Sequence, residues 1–163
     1  MLNRFYVDNI INTALAEDIN YIDVTTDNLL QDDDVSEAYF VAKDSGILCG
    51  IDVAARVFDL AGGNVEKEIL LKDGAPIKKG DYIAFFRGSA KTLLKGERTA
   101  LNLIQHMSGI ATAANECVKL VEGTNASIAD TRKTLPGLRA LQKYSVTVGG
   151  GKNHRFNLSD GAM

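Results

Sequence analysis

The sequence predicts an α+β N-terminal domain, an open-faced sheet with helices, followed by the beginning of an incomplete α/β barrel. Three observations carry that expectation. Short β-branched runs alternate with stretches of helical apolar spacing through roughly the first 105 residues, the pattern of a sheet covered by helices. A long helical run follows, and then a short apolar strand, Ala126-Ser127-Ile128-Ala129, passes through a basic loop into another helix, which makes one βα unit. An eight-stranded α/β barrel takes about 250 residues, yet a chain of 163 residues leaves only 58 after residue 105.

Element by element, Leu2, Phe5, Tyr6, Ile10, Ile11, Ala14 and Leu15 recur at three- and four-residue steps and predict an opening helix with one apolar face. Asp23 to Asn28 reads as a polar loop. Val35 to Ala42 has the β-branched and aromatic content of a strand, and Gly46 to Gly50 reads as a second, short one. Ile51 to Leu60 returns to helical spacing and Gly62-Gly63 ends it. Val65 to Leu71 predicts a further strand. Asp73-Gly74 and Gly80-Asp81 mark turns around short strands, and Lys78 and Lys79 read as turn residues rather than as cofactor-carrying lysines. Ala90 to Val121 is helical in pattern, with a break expected at Ser108-Gly109, and Leu138 to Val148 is helical again.

Composition narrows the function. With 45% hydrophobic and 24% charged residues the chain is an ordinary globular protein, which excludes a disordered one. A net charge of -3 argues against general nucleic-acid binding, which needs an extended basic surface. No apolar run reaches membrane-spanning length and Met1-Leu2-Asn3-Arg4-Phe5 lacks the apolar core of a signal peptide, so a cytoplasmic protein is expected. Cys49 and Cys117 are far apart, belong to no CxxC pair and read as buried free thiols.

Against that acidic background, residues 130–155 carry six basic side chains (Arg132, Lys133, Arg139, Lys143, Lys152, Arg155) and one acidic one, Asp130. Arginine grips a carboxylate or phosphate with a planar fork, whereas lysine offers a mobile point charge. Arg132 and Lys133 would fall on the loop leaving the C-terminal end of a strand, where barrel chemistry sits. Gly149-Gly150-Gly151 would either let backbone approach a ligand or serve as a flexible turn, and Asn153-His154-Arg155 adds an amide, an imidazole and a second fork. Glu97-Arg98 reads by default as a solvated helical pair, and His106 as a helix-face histidine. No nucleophile triad, catalytic carboxylate pair, Walker loop or clustered metal site stands out. Residue chemistry points to a small-anion site.

The order Asp130-Thr131-Arg132-Lys133-Thr134-x-Pro136-Gly137-Leu138-Arg139, Lys143-Tyr144, Gly149-Gly150-Gly151-x-Asn153-His154-Arg155 closely resembles the quinolinate phosphoribosyltransferase family. Glu17-Asp18-Ile19 with Asp23-Val24-Thr25, Gly46 to Gly50, Lys79-Gly80-Asp81, Glu97 to Asn102 and Ser108 to Thr112 extend the resemblance over nearly the whole chain. The resemblance implies transfer of ribose 5-phosphate from phosphoribosyl pyrophosphate to quinolinate with decarboxylation, giving nicotinate mononucleotide, pyrophosphate and CO2 in NAD biosynthesis. It implies Lys133 as the catalytic side chain and Thr131, Arg132, His154 and Arg155 as substrate contacts, with Arg98 reaching in from a neighbouring subunit. Mg²⁺ would accompany phosphoribosyl pyrophosphate, and no residue here is assigned to the metal.

The resemblance implies an N-terminal α/β sandwich domain over 1–105 and the first part of the α/β-barrel domain over 106–163; family members continue past the His-Arg motif to further ribose, metal and phosphate contacts. This chain is therefore expected to carry part of the quinolinate site, to lack full activity alone and to self-associate as a homodimer or larger assembly through uncovered faces such as Ile128 and Val146. Two other readings stand beside it: an interaction fragment that needs a partner chain, and a molybdate-operon paralogue with another substrate. The intact Asn153-His154-Arg155 weighs against the latter.

Overall fold

The computed structural model describes residues 2–161; Met1, Ala162 and Met163 lie outside them. The opening helix forms as α1 (Arg4–Asp18), with the Asn3 side chain accepting from Phe5 N at 2.9 Å as its N-cap. Its buried side chains are Val7 and Ile11, one turn apart. Phe5 and Tyr6 lie outside that stripe and are exposed, so the apolar face is narrower than its composition suggests.

Asp23 to Asn28 is not a loop. It folds into α2 (Val24–Leu29), because Asp23 Oδ1 accepts from Thr25 N at 3.1 Å and Thr26 N at 2.9 Å while Asp27 Oδ2 accepts from Asp23 N at 3.1 Å. These reciprocal bonds offset the weak helix propensity of the two threonines.

The sheet comprises β1 (Val35–Val41), β3 (Val65–Ile69) and β5 (Tyr82–Ser89), all antiparallel with β5 central. A second pair joins β2 (Gly46–Ile47) to β4 (Pro76–Ile77). The sheet's covered face and α3 (Ile51–Ala61) share a ring cluster in which Phe58 lies 4.7 Å and Phe40 4.8 Å from Phe86, centroid to centroid. Such pairs add about 0.5–1.5 kcal/mol each beyond their area burial. The opposite face leaves Tyr39 exposed beside Phe85, so the sheet is open on one side as expected.

The expected break at Ser108-Gly109 does not occur: α4 (Ala90–Leu120) is one helix of 31 residues. Ser108 Oγ accepts from Cys49 N at 2.9 Å and donates to Cys49 O at 3.1 Å, which staples the helix where it was expected to end. One glycine in a helix costs about 1 kcal/mol, and burial of Met107, Ala111 and Ala114 offsets it.

The last helix, α5 (Arg139–Val148), packs on α4 and buries Leu141, Lys143 and Ser145. The strand expected at 126–129 reduces to one parallel bridge, Ala129 with Lys152. Asp73 joins the two halves of the core: its Oδ1 accepts from Gly50 N and Ile51 N at the start of α3, and its Oδ2 from Tyr144 Oη on α5 at 2.9 Å.

Candidate anion-binding site

The Ala129–Lys152 bridge lays two segments side by side. Lys152 N donates to Ile128 O at 2.9 Å and Asp130 N to Lys152 O at 3.0 Å. Both segments then leave the same end of this short ladder, 131–133 on one side and 153–155 on the other. Between them opens a cavity of about 360 Å³ lined by Thr131, Arg132, Lys133, His154 and Arg155. Five of the six side chains singled out in the sequence are thus brought together. Arg98 is not: it is an exposed residue of α4 and does not line this cavity.

The basic island divides into two kinds of cation. Arg132, Lys133, Arg155 and the exposed Lys152, which does not line the cavity, take part in no ion pair among the described residues. Arg132 Nε is buried without a hydrogen-bond partner among them, a cost tolerated where a charged ligand completes the shell. Arg139 and Lys143, in contrast, are engaged internally. The Arg139 guanidinium donates to Thr134 Oγ1 at 3.0 Å, Phe156 O at 3.3 Å and Arg132 O at 3.4 Å, so it cross-links the two loops from behind. Lys143 is 2% exposed and donates to Asp130 Oδ1. Thr131 Oγ1 accepts from Lys133 N at 2.9 Å, which turns the loop between them.

The three glycines pack rather than cradle a ligand. A Cβ on Gly149 would stand 2.3 Å from Ala111 O and one on Gly151 2.7 Å from Val146 Cγ1, while Gly150 has φ +95°. Their role is close contact of this turn with α4 and α5. His106 Nε2 lies 3.0 Å from Gln142 Nε2, a contact between α4 and α5 outside the cavity. Cys49 is buried, and that burial, with the Asp73 charge adding to it, pushes its thiol up to about 12 despite a hydrogen bond to Ser145; Cys117 is exposed, contrary to expectation, because it faces away from the α4 core seam.

Among the described residues no group of three or more His, Cys, Asp or Glu side chains could hold a metal ion. Asp130 is taken by Lys143, His154 N and Asn153. The residues described do not fit a Mg²⁺ ion of their own. Nor is any helix among them long and apolar enough to cross a membrane.

Two family models match: the quinolinate phosphoribosyl transferase N-terminal domain over residues 23–108 and the C-terminal domain over residues 110–163. The chain belongs to this family. It is 43% identical over 162 residues to the probable nicotinate-nucleotide pyrophosphorylase [carboxylating] of Bacillus subtilis, a match covering 99% of this chain and 56% of that protein. Identity to the Mycobacterium leprae nicotinate-nucleotide pyrophosphorylase is 46%, covering 94% of this chain and 55% of the relative. The crystal structure of NadC from Streptococcus pyogenes superposes with a TM-score of 0.93 at 39% identity, covering 98% of this chain and 56% of that one. The chain thus spans little more than half the length of these relatives, and its fold is that of their N-terminal α+β domain and the start of their barrel.

Proposed function

We propose that this chain carries quinolinate-binding residues of a quinolinate phosphoribosyltransferase, divided into an N-terminal domain over 1–105 and the first part of the barrel over 106–163. Support comes from one observation: the cavity of about 360 Å³ collects two arginines, a lysine and a histidine, and among the described residues no ion pair holds Arg132, Lys133 or Arg155 back. Quinolinate bears two adjacent carboxylates. The forks of Arg132 and Arg155 grip them, Thr131 and His154 complete the orientation, and Lys133 faces the phosphoribosyl donor.

In the family reaction the pyridine nitrogen attacks the anomeric carbon of phosphoribosyl pyrophosphate as the bond to pyrophosphate breaks. The 2-carboxylate then departs as CO2, its bonding electrons held next to the pyridinium nitrogen until C2 takes a proton. Preorganised cations hold the dianion in line and stabilise charge as it moves. Mg²⁺ would arrive on the donor's phosphates. Arg98, exposed on α4, would serve the site of a second copy, which makes self-association part of the proposal.

Isothermal titration of the chain with quinolinate tests it. Binding is expected, weakened about tenfold to a hundredfold by Arg132→Ala through loss of a charge-assisted pair, and unchanged by Lys79→Ala at the remote turn. Absence of binding to the unmodified chain would overturn the assignment.

A further inference from the structure

Asp130 is the one carboxylate of the 130–155 segment, and its side chain is 5% exposed. An unpaired carboxylate beside a dianion site would repel the ligand. Its position suggests a different task. Oδ1 accepts from Lys143 Nζ and from His154 N, the latter at 2.7 Å; with the Asn153 amide oriented by its surrounding acceptors, its nitrogen donates to Oδ2 at 2.6 Å and to Lys143 O at 2.9 Å. One carboxylate on the first loop thus holds the backbone and a side chain of the second, and α5 supplies the cation that cancels its charge. With Arg139 bracing the far ends of both loops, the spacing between Arg132-Lys133 and His154-Arg155 depends on this triad.

We infer that Asp130, Lys143 and Asn153 are positioning residues that set the separation of the two cation-bearing loops while keeping the site's net charge positive. The inference rests on reading the cavity as a quinolinate site, but the loop geometry can be measured without ligand. A carboxylate is needed at 130 because both of its oxygens accept. An asparagine at 130 would turn an amide nitrogen towards Asn153, whose own amide could face it only by giving up Lys143 O.

The test pairs amide hydrogen exchange at His154 with quinolinate titration and thermal melting on the full chain. Lys143→Met/Asp130→Asn removes both charges and leaves no buried ion unpaired. Asn153→Ala removes an exposed side chain and one donor to Asp130 Oδ2, which keeps the Lys143 and His154 bonds on Oδ1, so the chain is expected to fold. In both variants exchange at His154 is expected to quicken and quinolinate binding to weaken, each by about tenfold, the weight of one hydrogen bond. Melting of Asn153→Ala should fall by no more than a few degrees and leave the chain folded at the temperature of titration, so that lost affinity reports positioning and not unfolding. Unchanged exchange and affinity in Asn153→Ala overturn the inference, whatever the double variant does. If the parent chain fails to bind quinolinate, the functional proposal falls, and His154 exchange alone then decides the positioning role.

Discussion

Replacing Asp73 by alanine should destabilise the chain through two elements at once. The carboxylate caps α3 from a distant turn, accepting from Gly50 N at 2.8 Å and Ile51 N at 3.0 Å. Loss of an N-cap costs about 0.5–2 kcal/mol. It also accepts from the Tyr144 hydroxyl, whose ionisation is pushed above its ordinary range by burial and then by this bond, so the phenol remains a donor. Leaving that half-buried hydroxyl without a partner costs about 1–3 kcal/mol. The sum is about 3 kcal/mol, and for a chain of this size each kcal/mol lowers Tm by about 2–4 °C, so a fall of about 6–12 °C is expected by calorimetry. Tyr144→Phe should cost about a third as much. The double variant should melt above the additive value, because no orphaned hydroxyl is left. A Tm for Asp73→Ala within about 2 °C of the parent, or strictly additive losses, would refute the idea that one carboxylate joins α3 to α5.

Acid should weaken the fold, with the sign set by its aspartates. Arg56 hydrogen bonds hold Asp8, and a Lys95 hydrogen bond holds Asp27, below the usual carboxylate range. The unfolded chain therefore binds more protons there, and stability is expected to be full near neutrality and to decline as pH falls from about 5. Melting across pH 7 to 3 measures this, and Asp27→Asn should flatten the slope. Thiol chemistry should separate the cysteines: native chain treated with iodoacetamide at pH 8 should gain one adduct, at exposed Cys117, and a second, at Cys49, only after denaturation, as read by intact mass.

Helices with strong periodicity, such as residues 51–60, were legible because each buried side chain belongs to the same local face. The central strand β5 was not. Tyr82-Ile83-Ala84-Phe85-Phe86 is apolar on both faces, so its alternation is hidden, and its pairing with β1 and β3 is set by contacts distant in sequence. The continuity of α4 was hidden likewise, because the bonds between Ser108 and Cys49 span 59 residues.

At the site, residue type marked six basic side chains as one island, and the family resemblance chose among them; neither shows which cations are free of internal partners. By charge alone Lys143 and Arg139 belong to the same basic island; their partners, Asp130 and the carbonyls of Arg132 and Phe156, show them as scaffold. The lone acidic residue in a basic stretch was the available clue to the first of these.

The unbroken α4 has a practical bearing on dissecting proteins of this kind. The two family models meet between residues 108 and 110, in the middle of a rod about 46 Å long. Cutting there for separate expression would strand about four backbone carbonyls on one fragment and four amides on the other. It would also split the seam that runs from Ile104 and Met107 to Ala111 and Ala114. The exposed turn at Glu122-Gly123-Thr124-Asn125 is the better place for a tag or a permuted terminus.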